Sequence, residues 1–509
     1  MAFFSFPSIS IFSYDFLDFI PASTISATYC LILCHKEPDF RWSRIGNVTQ
    51  ASIDVFMVFR GVYTPIKNPL IVCISNHLPR SSVFQEKVVP LLNKEQKKMV
   101  VEEKYMARCI ELARGGEGNT APNPMVGAVI VHKGKIIGEG FHRKCGEAHA
   151  EVNAVASVRD EALLRDSTIY VSLEPCSHYG KTPPCTEAII EEKIARVVVG
   201  SDDPNPLVSG KGFKLLREKG IEVIPHFLKE ECDAMNHVFF HYISTGTPYV
   251  AMKYAMTMDG KIACYTGDSK WVTGEESRAH VQTLRNHYKG IMAGIGTVLA
   301  DDPMLSCRIE GGRDPVRIIA DSHLRIPMDS QLVRTAKQQP LIVACLPDAD
   351  ETKAVQLEEK GVEVLRIPGI AVNDFSGSSS DSVLKYKDRL LADNLADNNI
   401  SREVDSDIIE EKQKEVISLP VLMKELGSRK IDGILLEGGG QLNESALQAG
   451  IVQRVYCYIA PKIFGGAQAK TPVEGQGLAK AADAWHFTRI GMQEFGQDIL
   501  LEYERTKEN

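Results

Sequence analysis

Residues 146–155 read GEAHAEVNAV and residues 173–185 read LEPCSHYGKTPPC, and these two stretches decide the fold of the N-terminal half. The first stretch is rich in Ala and Val, which predicts a helix over residues 147–159. The second stretch begins within a β-rich strand, which we predict over residues 167–175. A His-x-Glu sequence therefore opens the helix, and a Pro-Cys sequence follows the neighbouring strand.

The polar residues of these stretches match a catalytic zinc site. Such a site has three protein ligands, drawn from Cys and His, and keeps a fourth position for water. His149, Cys176 and Cys185 supply the three ligands, and zinc brings the pKa of its water towards ~7. Glu151 is placed to transfer protons without ligating the metal. Each residue alone is more often structural, but the combination is that of the zinc deaminases of nucleobases.

The elements around these stretches predict an α/β sandwich built on one sheet. Two β-branched strands meet at Lys133-Gly134, which predicts a hairpin. The other predicted elements are helices over residues 105–113, 186–194 and 211–220, strands over residues 195–201 and 221–227, and a helix ending around Tyr242.

Small, turn-forming residues at 244–248 predict a linker to a second α/β domain, which makes the domains 99–245 and 246–509. Strands and helices alternate after the linker, so we expect a mostly parallel sheet. Residues 290–300 are predicted as a strand running into a loop. The other predicted elements are a helix over residues 275–288 and strands over residues 249–256, 316–321, 341–346, 431–440 and 454–465.

Several motifs resemble one known family. Residues 115–131 (GGEGNTAPNPMVGAVIV), 202–212 (DDPNPLVSGKG) and the two stretches quoted first are similar to the deaminase half of the bifunctional riboflavin-biosynthesis deaminase/reductase family. In that family the wide cysteine spacing seen here is the rule. Residues 248–263 (PYVAMKYAMTMDGKIA) and 435–443 (LLEGGGQLN) resemble its reductase half. The resemblance runs from about Tyr105 to Leu501 and is interrupted only at residues 370–416.

The resemblance implies a fold and two reactions. The fold would be a zinc cytidine-deaminase-like α/β/α sandwich followed by a dihydrofolate-reductase-like α/β domain that uses NADPH. The first reaction would be the hydrolytic deamination of a diaminopyrimidinone that carries a ribosylamino 5′-phosphate. The second would reduce the ribosyl group to a ribityl chain. The predicted partner is therefore a small phosphorylated pyrimidine, and we also expect a homo-oligomer.

Substrate-binding residues follow for the deaminase half. His178 and Lys181 lie between the cysteines, where a cation and a hydrogen-bond donor suit a phosphate or a ring carbonyl. The resemblance adds four further residues, although Asn-Pro and Asp-Pro are also ordinary turn formers. These four are Asn123, His142, Asp203 and Asn205.

The reductase half lacks the Gly-x-Gly-x-x-Gly fingerprint, and Gly438-Gly439-Gly440 is its one good phosphate cradle. Arg285 and Arg308 suit phosphate oxygens because a guanidinium presents a planar fork of donors. Asp259 is predicted to be a turn residue, and Trp271 is equally compatible with a core position. By resemblance the substrate contacts are Lys253, Ser269, Arg285, Leu305, Arg308 and Glu437, and the NADPH contacts are Ala255, Trp271, Thr297, Asp301, Gly439, Gly440, Gln441, Leu442, Asn443, Glu444 and Ser445.

Composition restricts the class of protein. With 509 residues, 44% hydrophobic and 24% charged, the chain is not collagen-like, wholly disordered or a multi-spanning membrane protein. A net charge of −8 argues against duplex nucleic acid as a partner. No stretch reaches the ~18 uninterrupted apolar residues of a transmembrane helix. Twelve cysteines without a repeated spacing favour a reducing compartment, and we expect the cytoplasm.

Two segments differ from the rest. Residues 370–416 carry eleven acidic and six basic residues, which predicts a solvated, disordered insertion. Residues 1–98 carry no recognisable motif, and we expect the functional start near Met99, after a poorly ordered leader or one that reflects too early a start codon. The alternative is an organelle-targeting leader, although such leaders are rich in Arg and this one has no Lys or Arg before Lys36.

Two other functions remain open from the residues alone. One is a nucleoside or tRNA zinc deaminase with an accessory domain, which the long reductase match and the cysteine spacing oppose. The other is a non-catalytic scaffold on a degenerate deaminase fold. Such a protein would be expected to lack Glu151 or a zinc ligand, and all of these residues are present.

Overall fold

The computed structural model describes residues 101–179, 183–205, 208–371 and 415–506. The predicted leader, Lys181 and residues 372–414 of the predicted insertion lie outside the described residues. Within the described part of the chain, no helix is both long enough and apolar enough to cross a membrane.

The first sheet has five strands in the order β2-β1-β3-β4-β5. β1 pairs antiparallel with β2 and β3, and the pairs from β3 to β5 are parallel. The predicted hairpin is confirmed: Lys133 and Gly134 have φ values of 48° and 78°, the left-handed backbone of a tight two-residue turn. The strands are β1 Gly127–His132, β2 Lys135–Phe141, β3 Thr168–Leu173, β4 Arg196–Ser201 and β5 Glu222–Ile224.

Helices pack around this sheet. β5 is shorter than the predicted strand over residues 221–227, because His226 and Leu228 adopt left-handed backbone with φ values of 63° and 54°. The helices are α1 Glu103–Ala113, α2 Ala150–Ala156, α3 Cys185–Glu191, α4 Lys211–Glu218, α5 Lys229–Met235 and α6 His237–Thr245.

The helix that carries Glu151 is shorter than predicted. α2 begins at Ala150 and ends at Ala156, whereas we predicted residues 147–159. The carbonyl of Ala148 accepts hydrogen bonds from the His142 ring and from the side-chain amide of Asn153. Ala148 is therefore bonded to side chains just before the helix begins. A Cβ on Gly140 would lie 2.3 Å from the nitrogen of Ala154, so this glycine allows α2 to pack directly on β2.

The second sheet has nine strands in the order β10-β9-β8-β7-β13-β6-β14-β16-β15. The pairs from β10 to β14 are parallel, which confirms the predicted parallel core, and β14, β16 and β15 pair antiparallel. The strands are β6 Tyr249–Thr257, β7 Gly290–Gly294, β8 Val316–Ala320, β9 Leu341–Cys345, β10 Val362–Arg366, β13 Gly433–Leu436, β14 Val452–Ala460, β15 Phe487–Phe495 and β16 Asp498–Arg505.

The prediction of a strand running into a loop over residues 290–300 is wrong in its second part. β7 ends at Gly294, and a helix begins at Ile295 because Ile295 and Val298 bury their side chains in the core beside β7. The helices of this region are α7 Glu275–His287, α8 Ile295–Asp301, α9 Gln331–Arg334, α10 Glu351–Glu359, α11 Leu419–Ser428 and α12 Gly440–Gln448.

Two predicted segment boundaries also change. α6 continues to Thr245, so the linker predicted at residues 244–248 is reduced to three residues before β6. The ends of the predicted insertion are ordered: β11 Gly369–Ala371 and β12 Glu415–Ile417 form a two-stranded antiparallel sheet. The prediction of disorder is therefore wrong for residues 370, 371, 415 and 416, and for residues 372–414 it lies outside the described residues.

Candidate active sites

Two helix starts and the end of one strand bring the predicted zinc ligands together. His149 is the N-cap of α2, Cys176 follows β3, and Cys185 is the first residue of α3. The candidate ligand atoms all lie within 4.8 Å of one another, with His149 Nδ1 3.2 Å from Cys185 Sγ and 3.5 Å from Cys176 Sγ. Bonds of about 2.0 Å to nitrogen and 2.3 Å to sulfur in a tetrahedral shell require separations of this size. The donor set fits zinc.

The electrostatics of the two cysteines differ. Hydrogen bonds from the Cys185 thiol and from His149 lower the pKa of Cys176 to about 4. The Cys176 thiolate then raises the pKa of Cys185, which is buried as well. The site therefore holds one thiolate readily by itself, and a divalent cation would favour deprotonation of the second thiol.

Glu151 lies in the first turn of α2 and is only 4% exposed. Burial raises the pKa of this carboxyl, and the nearby charge of Cys176 raises it further. A bound cation would act in the opposite direction. A buried carboxyl group therefore lies beside the three candidate ligands, at the position that the sequence predicted.

The predicted substrate residues surround this cluster. Asn123 Nδ2 lies 3.2 Å from His142 Nε2, and the rings of His142 and His149 are 5.4 Å apart. Asp203 is buried, its Oδ1 accepts a hydrogen bond from Asn205 N at 2.8 Å, and burial raises its pKa to about 6.

His178 extends the same surroundings. It lies two residues after Cys176 in the chain. His178 Nδ1 is buried and has no hydrogen-bond partner among the described residues. The structure thus places Asn123 and His142 beside His149 and joins Asn205 to Asp203, while Lys181 lies outside the described residues.

Sequence reasoning missed Glu174. Its side chain is 3% exposed and lies immediately before Pro175 and Cys176. Both carboxylate oxygens accept backbone hydrogen bonds, from Gly210 N and Gly212 N, each at 3.0 Å. The available signal was a carboxylate directly after a β-rich strand and before the Pro-Cys sequence.

Three charged residues form a largely buried ion cluster in the second half of the chain. Glu437 follows β13, and its carboxylate accepts two hydrogen bonds from Arg285, at 2.7 and 3.1 Å. Lys253 on β6 places Nζ 3.6 Å from Glu437 Oε2. Burial acts to raise the pKa of Glu437, but the charges of Arg285 and Lys253 outweigh it and hold the pKa at about 2. All three residues were predicted to contact substrate, and the structure brings them together.

The other predicted substrate residues of this half differ in exposure. The Arg285 fork is engaged with Glu437, and its Nη1 also donates to Ser306 O at 3.0 Å. Arg308 is exposed, so its guanidinium is the more accessible of the two predicted phosphate partners. Leu305 is buried with a φ of 50°, and Ser269 is half-buried.

The triple glycine lies where β13 leads into α12. Gly439 is the N-cap of α12, and a Cβ there would meet only Thr297 Oγ1, at 3.9 Å. The space beside the Gly439 backbone is therefore open towards Thr297. Since β13 and β7 are parallel neighbours, their carboxyl ends lie side by side.

The other predicted cofactor residues differ in accessibility. Trp271 is 60% exposed with the Arg278 guanidinium 4.6 Å from its ring centroid, so the alternative of a core position is wrong. Asn443 and Glu444 are both buried. The Asn443 amide donates a hydrogen bond to Pro472 O, and the Glu444 carboxylate accepts one from Gly477 N. Both side chains therefore fix the adjacent loop. Asp301 and Gln441 are exposed, whereas Ala255, Leu442 and Ser445 are half-buried.

Asp259 has the predicted role in a turn. Its carboxylate accepts hydrogen bonds from the Thr257 hydroxyl and from the backbone amides of Phe464 and Gly465. These contacts join the end of β6 to the loop after β14. The Asp259 carboxylate therefore has a structural role, since its oxygens are occupied by these hydrogen bonds.

Two family models match the chain. The cytidine and deoxycytidylate deaminase zinc-binding region matches residues 99–201, and the RibD C-terminal domain matches residues 248–501. The first match covers His149, Glu151, Cys176 and Cys185. The chain therefore contains a deaminase domain of the zinc-binding type and a reductase domain.

Relatives and solved structures match across both halves. The riboflavin biosynthesis protein RibD of Actinobacillus pleuropneumoniae is 47% identical over 399 residues, which is 78% of this chain and 94% of the relative. RibD of Escherichia coli is 34% identical over 419 residues, 79% of this chain and 98% of the relative.

Two solved structures agree with these matches. Acinetobacter baumannii RibD superposes with a TM-score of 0.63 and 32% identity, over 80% of this chain and 99% of that one. A Thermotoga maritima protein described as a diaminohydroxyphosphoribosylaminopyrimidine deaminase/5-amino-6-(5-phosphoribosylamino)uracil reductase superposes with a TM-score of 0.62 and 34% identity, over 79% and 98%. The chain belongs to the family of bifunctional riboflavin-biosynthesis proteins, and it is an enzyme with a deaminase half and a reductase half.

Proposed function

We propose that the deaminase half converts 2,5-diamino-6-(5-phosphoribosylamino)pyrimidin-4(3H)-one with release of ammonia. The reductase half then reduces the ribosyl group with NADPH and gives 5-amino-6-(5-phosphoribitylamino)uracil. The single observation that carries this proposal is that one chain contains two sets of polar side chains, each suited to one of the two reactions. One set is the His149, Cys176 and Cys185 cluster beside Glu151, and the other is the Glu437 cluster.

In the deaminase site, His149, Cys176 and Cys185 hold zinc, which when bound supplies Lewis acidity that activates water. Glu151 accepts the proton of the attacking water and passes it to the departing amine. Its burial keeps bulk water from competing for that proton. Asn123 and His142 are the polar side chains beside His149 that contact the pyrimidine ring.

In the reductase site, the glycine cradle at the start of α12 holds NADPH, which supplies the hydride. Thr297 faces the same space from α8. Lys253 and Glu437 orient the sugar, because the two charged groups meet between adjacent parallel strands, Lys253 from the middle of β6 and Glu437 from directly after β13. Arg308 is the exposed guanidinium that fits the substrate phosphate.

A coupled assay tests the proposal. The diaminopyrimidine nucleotide is supplied with NADPH, and ammonia release and NADPH loss are followed together on the full chain. Equal molar amounts of the two signals, with ammonia released first, are expected. Ammonia release without any NADPH loss would leave a deaminase with an accessory domain, and no ammonia release would refute the deaminase role.

We further infer a homo-oligomer. β15 ends the second sheet, so its outer backbone edge has no partner strand among the described residues. Ile490 and Met492 on this strand are 46% and 58% exposed. An edge strand with exposed apolar side chains favours pairing with a second copy of the chain. Light scattering that gives a monomer mass would contradict this inference.

We also propose that the enzyme works in the cytoplasm. Every cysteine within the described residues is a free thiol, which fits a reducing compartment. Fractionation of cells that express the full chain, followed by activity measurement in each fraction, tests this location.

A further inference from the structure

The start of helix α4 has a cap that comes from a distant part of the chain. Gly210 is the N-cap of α4 and has no side chain to accept the first amide hydrogens of the helix. Helix starts leave up to four such amides without a partner. The carboxylate of Glu174 fills this role, since it accepts from Gly210 N and Gly212 N at 3.0 Å each.

The carboxylate is matched to this position by charge as well as by geometry. A negative group is stabilised at the positive end of a helix dipole. Both carboxylate oxygens of Glu174 are used at this helix start, one on Gly210 N and the other on Gly212 N.

The first turn of α4 packs closely against the residues before Cys176, with no space for a side chain at Gly212. A Cβ on Gly212 would lie 2.3 Å from Pro175 O and 3.1 Å from Glu174 Oε1. The first turn of α4 is therefore pressed against the two residues that precede Cys176. The backbone of Glu174 also donates to Ser201 O at 2.9 Å, at the end of β4.

Asp203 and Asn205 lie between these two points of attachment, the end of β4 and the start of α4. We propose that Glu174 is a positioning residue for the deaminase reaction, which fixes the segment carrying Asp203 and Asn205 at its distance from the zinc ligand Cys176. This inference rests on the proposed deaminase function. Glu174 acts through that segment and does not itself contact substrate.

The variant Glu174→Gln tests the proposal. An amide has one acceptor oxygen, so one of the two glycine N–H groups would face a donor. We expect the deaminase KM to rise about tenfold, the size of one hydrogen bond to a charged group, with kcat changed by less than about threefold. Zinc content and the reductase constants should stay at wild-type values. Glu174→Asp keeps the charge and should give a smaller rise in KM.

The control is Glu218→Gln, an exposed carboxylate at the other end of the same helix. It should leave the KM unchanged. A Glu174→Gln variant with unchanged KM, or one that loses zinc and kcat together at unchanged KM, would overturn the proposal, because either result assigns Glu174 no role or only a structural one.

Amide hydrogen exchange gives a readout that does not depend on substrate. In peptides covering residues 202–213, exchange should be faster in Glu174→Gln than in the wild type and in Glu218→Gln. Unchanged exchange would overturn the positioning role. A wild-type protein that fails to deaminate would instead refute the proposed function, and the exchange result would still decide whether Glu174 holds the segment.

Discussion

Arg285 and Glu437 are 152 residues apart in sequence and are joined by two hydrogen bonds, from Nε to Oε1 at 2.7 Å and from Nη2 to Oε2 at 3.1 Å. The pair fixes helix α7 to the end of β13. Lys253 approaches the same carboxylate from β6, so one anion organises two cations from separate elements. Because all three side chains are largely buried, removal of the anion should cost more than the loss of a surface ion pair.

Glu437→Gln should therefore destabilise the reductase half by about 3–5 kcal/mol, the cost of leaving buried cations without their partner. Urea unfolding followed by far-ultraviolet circular dichroism measures this free energy without depending on reductase activity. The control Glu425→Gln breaks a half-exposed ion pair with Arg429 and should cost about 0–1 kcal/mol. Equal urea midpoints for the two variants would show that the buried cluster adds nothing to stability.

Cys176→Ser should remove zinc and deamination together. A hydroxyl is a poor replacement for a thiolate ligand, so metal analysis should fall from about one zinc per chain to near zero. Reduction of the deaminated intermediate with NADPH should continue at close to the wild-type rate. Full deaminase activity in the wild type after complete removal of metal would contradict the zinc assignment.

Glu151→Gln separates metal binding from proton transfer. The amide cannot accept the proton of water, so deaminase kcat should fall about 10²–10⁴-fold while zinc remains bound. The matched comparison is Cys176→Ser, in which both quantities are lost. Near-wild-type turnover in Glu151→Gln would remove this residue from the mechanism.

Replacement of residues 372–414 by a short Gly/Ser linker should preserve the reductase. Ala371 and Glu415 pair directly across the antiparallel strands β11 and β12, so two to five residues of about hairpin-loop length close the gap. We expect the NADPH affinity to change by less than a few-fold, measured by fluorescence titration. A variant shortened by the four further residues 370, 371, 415 and 416 should be less stable, because it removes the strand pairing. Loss of folding in the first variant would show that residues 372–414 contribute to the core.

Local patterns were enough to predict most of the frame. The hairpin at Lys133-Gly134 depends on a turn signal that acts over two residues, and the parallel core depends on apolar runs that are buried on both faces. Helix α8 was missed because Ile295-Gly296-Thr297 has poor intrinsic helix propensity. Tertiary burial of Ile295 decides its conformation, and that information is absent from a local window.

The same contrast between local patterns and long-range contacts applies to the residues of the two candidate sites. The zinc ligands were predicted from residue type and from their places at a helix start and after a strand, while the wide spacing of the two cysteines was explained by the family resemblance. The Glu437 cluster was named only through family resemblance, because its members lie on three separate elements. The role of Glu174 could not be predicted, since its partners are backbone amides of a helix start at Gly210 and Gly212.

His237 carries the last prediction, through its surroundings at the start of α6. Its Nδ1 donates to Ala234 O at 2.8 Å, and its Nε2 is buried without a hydrogen-bond partner among the described residues. Its ring packs 4.8 Å from that of Tyr249, and the His287 ring is 6.2 Å away. Burial, together with the charges of Arg454 and His287, lowers the pKa of His237 to about 3.

The folded state thus resists protonation of His237, whereas the unfolded chain takes up the proton near the ordinary value of 6.5. The contribution to stability is complete above pH 6.5 and is lost as the pH falls from 6.5 towards 3, at up to about 1.4 kcal/mol per pH unit for one proton. His237→Phe removes the titrating group, so its melting temperature should fall less steeply than that of the wild type between pH 6.5 and pH 4.5. The control His486→Phe changes an exposed histidine and should keep the wild-type slope. Thermal melts at matched ionic strength provide the measurement, and parallel pH slopes for His237→Phe and the wild type would show that His237 is protonated equally in the folded and unfolded states.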